Sequence, residues 1–185
     1  MIDIPDLDYH NREYINHLPI SWDEFNQDCD KLAEQISASG FMPEFIVGIT
    51  RGGLTPAVIL SQILKVPMYT LKITLRDGVE EDCDHNCWMS EESFGYGNMG
   101  CLENTPTNIL IVDDINDSGA TIAWIKSDWE SSCLPNSAYW NEVWHKNVKF
   151  ATLVDNSSSS QRVDYSARVI DKSKDNVWID FPWEC

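Results

Sequence analysis

Apolar positions recur along this chain with two periods, and stretches of the two kinds alternate. Trp22, Phe25, Cys29, Leu32, Ala33 and Ile36 fall at helical spacing, which gives a helix one apolar face. Ser21 and Glu24 stand at its start as a capping box, each side chain able to satisfy the other's backbone amide, and Gly40 marks the stop. These signals predict a helix of about 16–18 residues. Residues 44–50 (EFIVGIT) form instead a short, β-branched run of the kind found in buried strands. Thr55 and Pro56 then signal a second helix, with Thr55 as cap and Pro56 at the first helical position. Its body, 57–64 (AVILSQIL), is apolar nearly all round and is expected to be buried.

Further strands are predicted at 68–75 (MYTLKITL), at 109–112 (ILIV) and at 150–154 (FATLV), with weaker signals at 166–170 and 177–179. The run at 109–112 is continuous, as in a central parallel strand covered on both faces. A helix is predicted from Gly119 onward (GATIAWIKSDW). Strands alternating with helices imply an α/β fold: a central, mostly parallel sheet flanked by helices, with right-handed crossovers.

Four regions fall outside this alternation. Residues 1–19 read as an extended N-terminal arm. Residues 76–107 are acidic, contain Gly and Cys, and lack periodicity; at roughly 30 residues they exceed ordinary loop lengths and are expected to form a flexible active-site loop. Residues 131–147 carry Tyr139, Trp140 and Trp144 and read as an irregular or helical insertion, and 157–160 is a serine run expected in a flexible loop.

At 185 residues, the chain fits one domain, taken as 1–185. Thirteen basic residues against 30 acidic ones give a net charge of −17, which disfavours nucleic acid and anionic membranes as partners. An anionic substrate would then need a divalent cation and well-placed basic groups. No apolar stretch reaches the ~20 residues that span a bilayer. The N-terminus has no basic-then-apolar leader pattern, and the six cysteines suggest no disulfide framework, so a reducing, cytoplasmic setting is expected. Cys83-Asp84-His85-Asn86-Cys87 lacks the second spaced pair that zinc sites use, and free thiols are expected there.

The chemistry concentrates at two strand ends, where open parallel sheets bind ligands. The strand at 109–112 runs into Asp113, Asp114, Ile115, Asn116, Asp117, Ser118, Gly119, Ala120 and Thr121. Adjacent carboxylates leaving a buried strand are costly to desolvate unless a cation or hydroxyl donors meet them. The following turn opens a helix, whose free amides, hydroxyls and dipole suit a phosphate. The strand at 44–50 ends in Thr50, Arg51, Gly52 and Gly53, a cation beside glycines that allow close backbone approach to an anion. Two anion sites on neighbouring strand ends fit a sugar carrying phosphates at both ends. Lys72 and Arg76 can assist there, or can be exposed strand-end cations. No Gly-x-Gly-x-x-Gly turn of the dinucleotide-binding kind joins a predicted strand to a predicted helix.

The 113–121 segment resembles the signature of the type I phosphoribosyltransferases. Trp22-Asp23, the run 49–54 (ITRGGL) and the run 177–184 (VWIDFPWE) are similar to the bacterial xanthine–guanine branch of that family. The resemblance implies the type I fold, with a small C-terminal base-binding hood over 155–185. It implies that Asp113 and Asp114 hold the ribose hydroxyls and Mg²⁺, and that Asp117–Thr121 cradle the 5′-phosphate. Asp117 would also be the general base, and Thr50–Gly53 would hold the diphosphate. Asn156, Trp178 and Ile179 would contact the base. Where that branch has a lysine, the chain has Asn156, which donates a hydrogen bond without charge. The substrates implied are phosphoribosyl diphosphate and a purine (guanine, xanthine or hypoxanthine), and the assembly implied is a homodimer or homotetramer. The other reading is a phosphoribosyltransferase-fold regulator that binds nucleotide or phosphoribosyl diphosphate without turnover.

Overall fold

The computed structural model describes residues 16–76, 79–95, 106–175 and 177–184. Along the chain these form β1 (Asn16–Pro19), α1 (Trp22–Ala38), β2 (Phe45–Thr50), α2 (Leu54–Leu64), β3 (Met68–Arg76), β4 (Val79–Cys83) and α3 (Cys87–Ser93). They continue with β5 (Ile109–Asn116), α4 (Ala120–Ser132), β6 (Val148–Asn156), β7 (Tyr165–Ile170) and β8 (Val177–Asp180).

Six strands lie side by side in the order β4-β3-β2-β5-β6-β7, and every pair is parallel except β3 with β4. From β2 the chain steps outward to β3, then returns to the other flank of β2 for β5. The sheet therefore has a topological switch point between β2 and β5, where α/β folds place ligands. One core, under α1 and α2, joins Phe25, Leu32, Ile36 and Leu60 to Leu110 and Leu153. The other, under α3 and α4, joins Met89, Ile125 and Trp129 to Ile111 and Phe150.

The α1 capping box forms as predicted, with Ser21 Oγ accepting from the Glu24 amide (3.3 Å) and the Ser21 amide donating to Glu24 Oε2 (2.9 Å). Gly40 leaves the helix at φ +75°, a left-handed conformation that favours glycine. Phe25, Cys29, Leu32, Ala33 and Ile36 are buried, but Trp22 is 52% exposed. It sits at the first helical position and lies over Phe25 and Trp183 instead of entering the core (centroids 5.7 and 6.3 Å). Asp28 is buried on the same helix and accepts from Arg168 Nε of β7 at 2.6 Å.

Several expectations change. The second helix begins at Leu54 with Gly53 as its N-cap, so Thr55 does not cap it and Pro56 lies within the first turn. Pro56, Ala57 and Leu60 are buried, whereas Val58 and Ile63 are exposed, because α2 covers the sheet with one face only. The strand expected to stop at Val112 continues to Asn116: β6 pairs Asp113 with Thr152, Ile115 with Val154 and Asn116 with Asp155.

The 76–107 region is more regular than expected. It contains β4, which forms a hairpin with β3, and α3, which buries Met89. Charged, exposed β4 is an edge strand without apolar alternation, so it leaves no periodic signal. Lys72 pairs with Asp82 across this hairpin. Residues 131–147 hold the end of α4 and a 3-10 turn at Ala138–Glu142, where Trp140 stacks on Trp144 (5.2 Å, 17°). Of the N-terminal arm, Asn16–Pro19 is a strand paired parallel to β8 in a separate two-stranded sheet, with His17 Nδ1 2.8 Å from Asp180 Oδ2. Residues 1–15 lie outside the described residues.

Candidate active site

The carboxyl end of β5 and the start of α4 enclose a recess of about 210 Å³, lined by residues 113–122 and by Thr152 of β6. Pairing with β6 keeps Asp113 and Asp114 within β5, which runs two residues past them. The Asp114 amide donates to Asp113 Oδ1 (3.0 Å), and the Ile115 amide donates to Asp114 Oδ1 (2.8 Å). Burial pushes the Asp113 carboxyl well above its ordinary range, and the neighbouring Asp114 charge pushes it further. Burial likewise raises Asp114, against the lowering effect of the Ile115 amide. The ion pairs among the described residues involve neither carboxylate. This pair therefore favours whatever brings positive charge or hydroxyl donors to it.

Beyond it the chain turns at Gly119 (φ +89°) into α4. A methyl group on Gly119 would also stand 2.6 Å from Ser160 Oγ and 2.8 Å from the Gln161 amide nitrogen. Ser160 holds the turn from behind, its amide and hydroxyl both donating to the Ser118 carbonyl (3.1 and 2.8 Å). The turn presents the N-terminus of α4, together with Ser118, Gly119, Ala120 and Thr121, to the recess, a setting suited to a phosphate. Asp117 opens the turn; its side chain is half exposed and lies 2.8 Å from Lys172 Nζ.

The second strand end abuts the first, since β2 pairs with β5. The peptide between Thr50 and Arg51 is cis, and Arg51 is exposed. A methyl on Gly53 would stand 2.5 Å from the Val112 carbonyl, and one on Gly52 would stand 1.7 Å from Asp114 Oδ2. A side chain on Gly53 would meet backbone, and one on Gly52 would displace the Asp114 carboxylate.

The remaining predicted residues lie at the carboxyl ends of β6 and β8. Trp178 is partly exposed on β8, and Ile179 is buried in the core. Phe181 and Trp183 stack behind them (4.9 Å, 9°). Asn156 is only 6% exposed and its amide is engaged at both ends. Its Nδ2 donates to the Asp117 carbonyl (3.0 Å), while its Oδ1 accepts from the Lys172 amide (3.0 Å) and the Ser158 hydroxyl (2.8 Å). Neither Trp178 nor Arg51 lines the 210 Å³ recess.

Two residues at the site had no sequence signal. Thr152 is 1% exposed and lines the recess, and its hydroxyl has no hydrogen-bond partner among the described residues. In the sequence it is one polar residue within an apolar strand. Lys172 is one lysine in an acidic turn, and only the tertiary fold brings it to Asp117. Among the described residues, no group of three or more His, Cys, Asp or Glu could hold a metal. His85 bonds instead to Asp128 of α4 (2.5 Å) and Glu80 of β4 (3.1 Å).

The model of the phosphoribosyl transferase domain matches residues 21–185. The hypoxanthine-guanine phosphoribosyltransferase of Schizosaccharomyces pombe is 23% identical over 180 residues, covering 89% of this chain and 87% of that protein. Among solved structures, a purine phosphoribosyltransferase from Pyrococcus horikoshii aligns with a TM-score of 0.63 and 25% identity, covering 91% of this chain and 95% of that one. The xanthine-guanine-hypoxanthine phosphoribosyltransferase of Helicobacter pylori also aligns at 0.63, with 21% identity and coverage of 91% and 94%. The switch-point recess, its paired carboxylates and the turn that opens α4 sit within the matched region, and the chain belongs to the phosphoribosyltransferase family.

Proposed function

We propose that this enzyme transfers the phosphoribosyl group from phosphoribosyl diphosphate to a purine base (guanine, xanthine or hypoxanthine), releases diphosphate and depends on Mg²⁺. The observation that carries this reading is the recess at the end of β5, where two half-buried, raised carboxylates stand beside a helix-opening turn. A sugar phosphate complements both, its hydroxyls donating to Asp113 and Asp114 while the 118–121 turn receives the 5′-phosphate. The Thr152 hydroxyl offers a further contact in the same recess.

The donor set fits Mg²⁺: hard carboxylate oxygens, a raised affinity for positive charge and, among the described residues, no ion pair to a protein cation. When bound by Asp113 and Asp114 with the substrate, Mg²⁺ supplies charge to the departing diphosphate. Arg51 and the backbone of Gly52 and Gly53 would hold that diphosphate on the β2 side. Asp117 would accept the proton that the purine loses as its other ring nitrogen attacks the sugar. Bond cleavage leaves an electron-poor sugar carbon, so water must be kept away until the base attacks.

Exposed apolar side chains on α2, Val58 and Ile63, support self-association as a homodimer or homotetramer. Four cysteines stand as free thiols among the described residues, in keeping with a reducing, cytoplasmic setting. No helix of the described residues is long and apolar enough to cross a membrane.

The direct test is to incubate the protein with phosphoribosyl diphosphate, Mg²⁺ and a panel of purine and pyrimidine bases, measuring diphosphate release and nucleotide formed. Turnover with 6-oxopurines that stops on chelation is expected. Binding of the sugar diphosphate without turnover on any base would replace this reading with that of a regulator.

A further inference from the structure

Behind the segment that holds the 118–121 turn lies a second hollow, of about 460 Å³. Lys126 of α4, His145 ahead of β6, and Gln161 and Arg162 of the β6–β7 connection line it, and it shares no lining residue with the recess at the end of β5. In a chain of net charge −17, Lys72, Lys146, Lys172 and Lys174 each pair with a carboxylate. Lys126 does not. Its ammonium donates to Gln161 Oε1 (2.9 Å) and to His145 Nε2 (3.3 Å). The carboxylates around it are engaged by other donors. Asp164 accepts from His145 Nδ1 (3.0 Å) and from the Phe150 amide (2.9 Å), Glu130 from Trp144 Nε1 (3.0 Å), and Asp155 from Asn116 Nδ2 (2.8 Å).

A carboxylate only accepts and an ammonium only donates, so the imidazole between Asp164 and Lys126 is neutral, with its proton on Nδ1. Lys126 therefore holds a half-buried charge among neutral partners. Burial lowers the pKa of its ammonium, and the charge of Arg162 lowers it further. Arg162 is exposed and makes no ion pair among the described residues. Two unpaired like charges that converge on one hollow repel each other, and an anion between them replaces that repulsion with attraction. A phosphate group suits the set: it takes the fork of a guanidinium, the remaining donor of the Lys126 ammonium and a hydroxyl from Ser157 on the same wall. The hollow exceeds a bare phosphate in size and lies within the range of small-molecule sites.

We propose that Lys126, Arg162 and Ser157 bind a phosphate-bearing small molecule in this hollow, at a site separate from the recess at the end of β5. This inference does not rest on the purine-transfer reading, and its test needs no turnover. The two sites have a wall in common. Ser160 holds the Ser118 carbonyl on one side, while the next residue, Gln161, gives its carbonyl to Asn116 Nδ2 (2.8 Å) and its side chain to Lys126.

The test uses inorganic phosphate as the probe and follows the imidazole nitrogens of the full chain by NMR, at constant pH and with chloride at equal ionic strength as the control. The His145 signals are assigned by their loss in His145→Gln. They should move saturably with phosphate and not with chloride, while those of His17 and His85 stay in place. Lys126→Met and Arg162→Met should each raise the dissociation constant about tenfold or more, the effect of losing one charge-assisted contact. Lys174→Met, which removes a lysine away from the hollow, should leave it unchanged.

His145 signals that stay in place, or that drift with salt as those of His17 and His85 do, overturn the proposal. So does saturable movement that persists undiminished in both Lys126→Met and Arg162→Met, which would put the phosphate at the 118–121 turn. Thermal unfolding of each variant separates these effects from loss of fold, and the exposed Arg162 keeps the test open if Lys126→Met fails to fold.

Discussion

Gly52 and Asp114 belong to different strand ends, yet a methyl group on Gly52 would overlap Asp114 Oδ2 at 1.7 Å. The glycine is thus the wall against which one of the two site carboxylates rests. Gly52→Ala must move the carboxylate or the loop, and misplacements of about 1 Å at such sites cost roughly 10²-fold in rate. The expected result is a fall of that order in kcat with a native-like thermal melt. An unchanged kcat would mean that Asp114 tolerates displacement.

Asp113 is held where its charge is disfavoured, so function and stability pull in opposite directions there. Its folded carboxyl titrates above its unfolded value, so it opposes folding as pH rises through that interval and above. Asp113→Asn removes the disfavoured charge and should stabilise the metal-free protein by roughly 1 kcal/mol at neutral pH. The same change should abolish the Mg²⁺ dependence of phosphoribosyl diphosphate binding. Denaturant melts and calorimetry read the two effects separately.

Asp117→Asn should retain phosphoribosyl diphosphate binding, because the backbone turn and its clamp by Asn156 and Ser160 do not depend on the carboxylate. Transfer should slow by about 10²- to 10⁴-fold, the usual contribution of a positioned acid–base group. Single-turnover kinetics with saturating sugar diphosphate would measure this, and an unchanged rate would remove Asp117 as the base.

His85 fastens the β3–β4 hairpin to α4 through Asp128 and Glu80, and Glu80 also accepts from Trp124 Nε1 at 3.0 Å. The Asp128 contact raises the imidazole's pKa, with its charge and then that of Glu80 adding. Stability from a raised histidine is fully present below the unfolded value, about 6.5, and is lost as pH rises through the folded value. His85→Asn should therefore lower the melting temperature at pH 6 by a small, salt-sensitive amount, since the ring is largely exposed. The difference between variant and native protein should vanish in alkaline buffer.

Where geometry depends on neighbours in sequence, it was legible. The 113–121 segment places carboxylates, turn and helix start within nine positions, and β5 and α4 position them as that order requires. The α1 capping box was equally local. What escaped depends on pairings across the chain. β1 has no apolar alternation and is a strand because β8 bonds to it. β5 outruns its apolar residues because β6 continues beside it. Lys172 meets Asp117 from 55 residues away, and the charge pattern of a short acidic turn cannot announce such a meeting.

The pairing of β1 with β8 bears on how such an enzyme diverges. These two strands form a sheet of their own, apart from the six-stranded sheet whose strand ends line the proposed sugar-phosphate site. On the proposed reading, substitutions in β8 would reshape acceptor choice without disturbing a hydrogen bond between β2, β5 and β6. Donor chemistry and acceptor choice would then be separable traits, and a change of base would leave the transfer machinery's strand pairing intact.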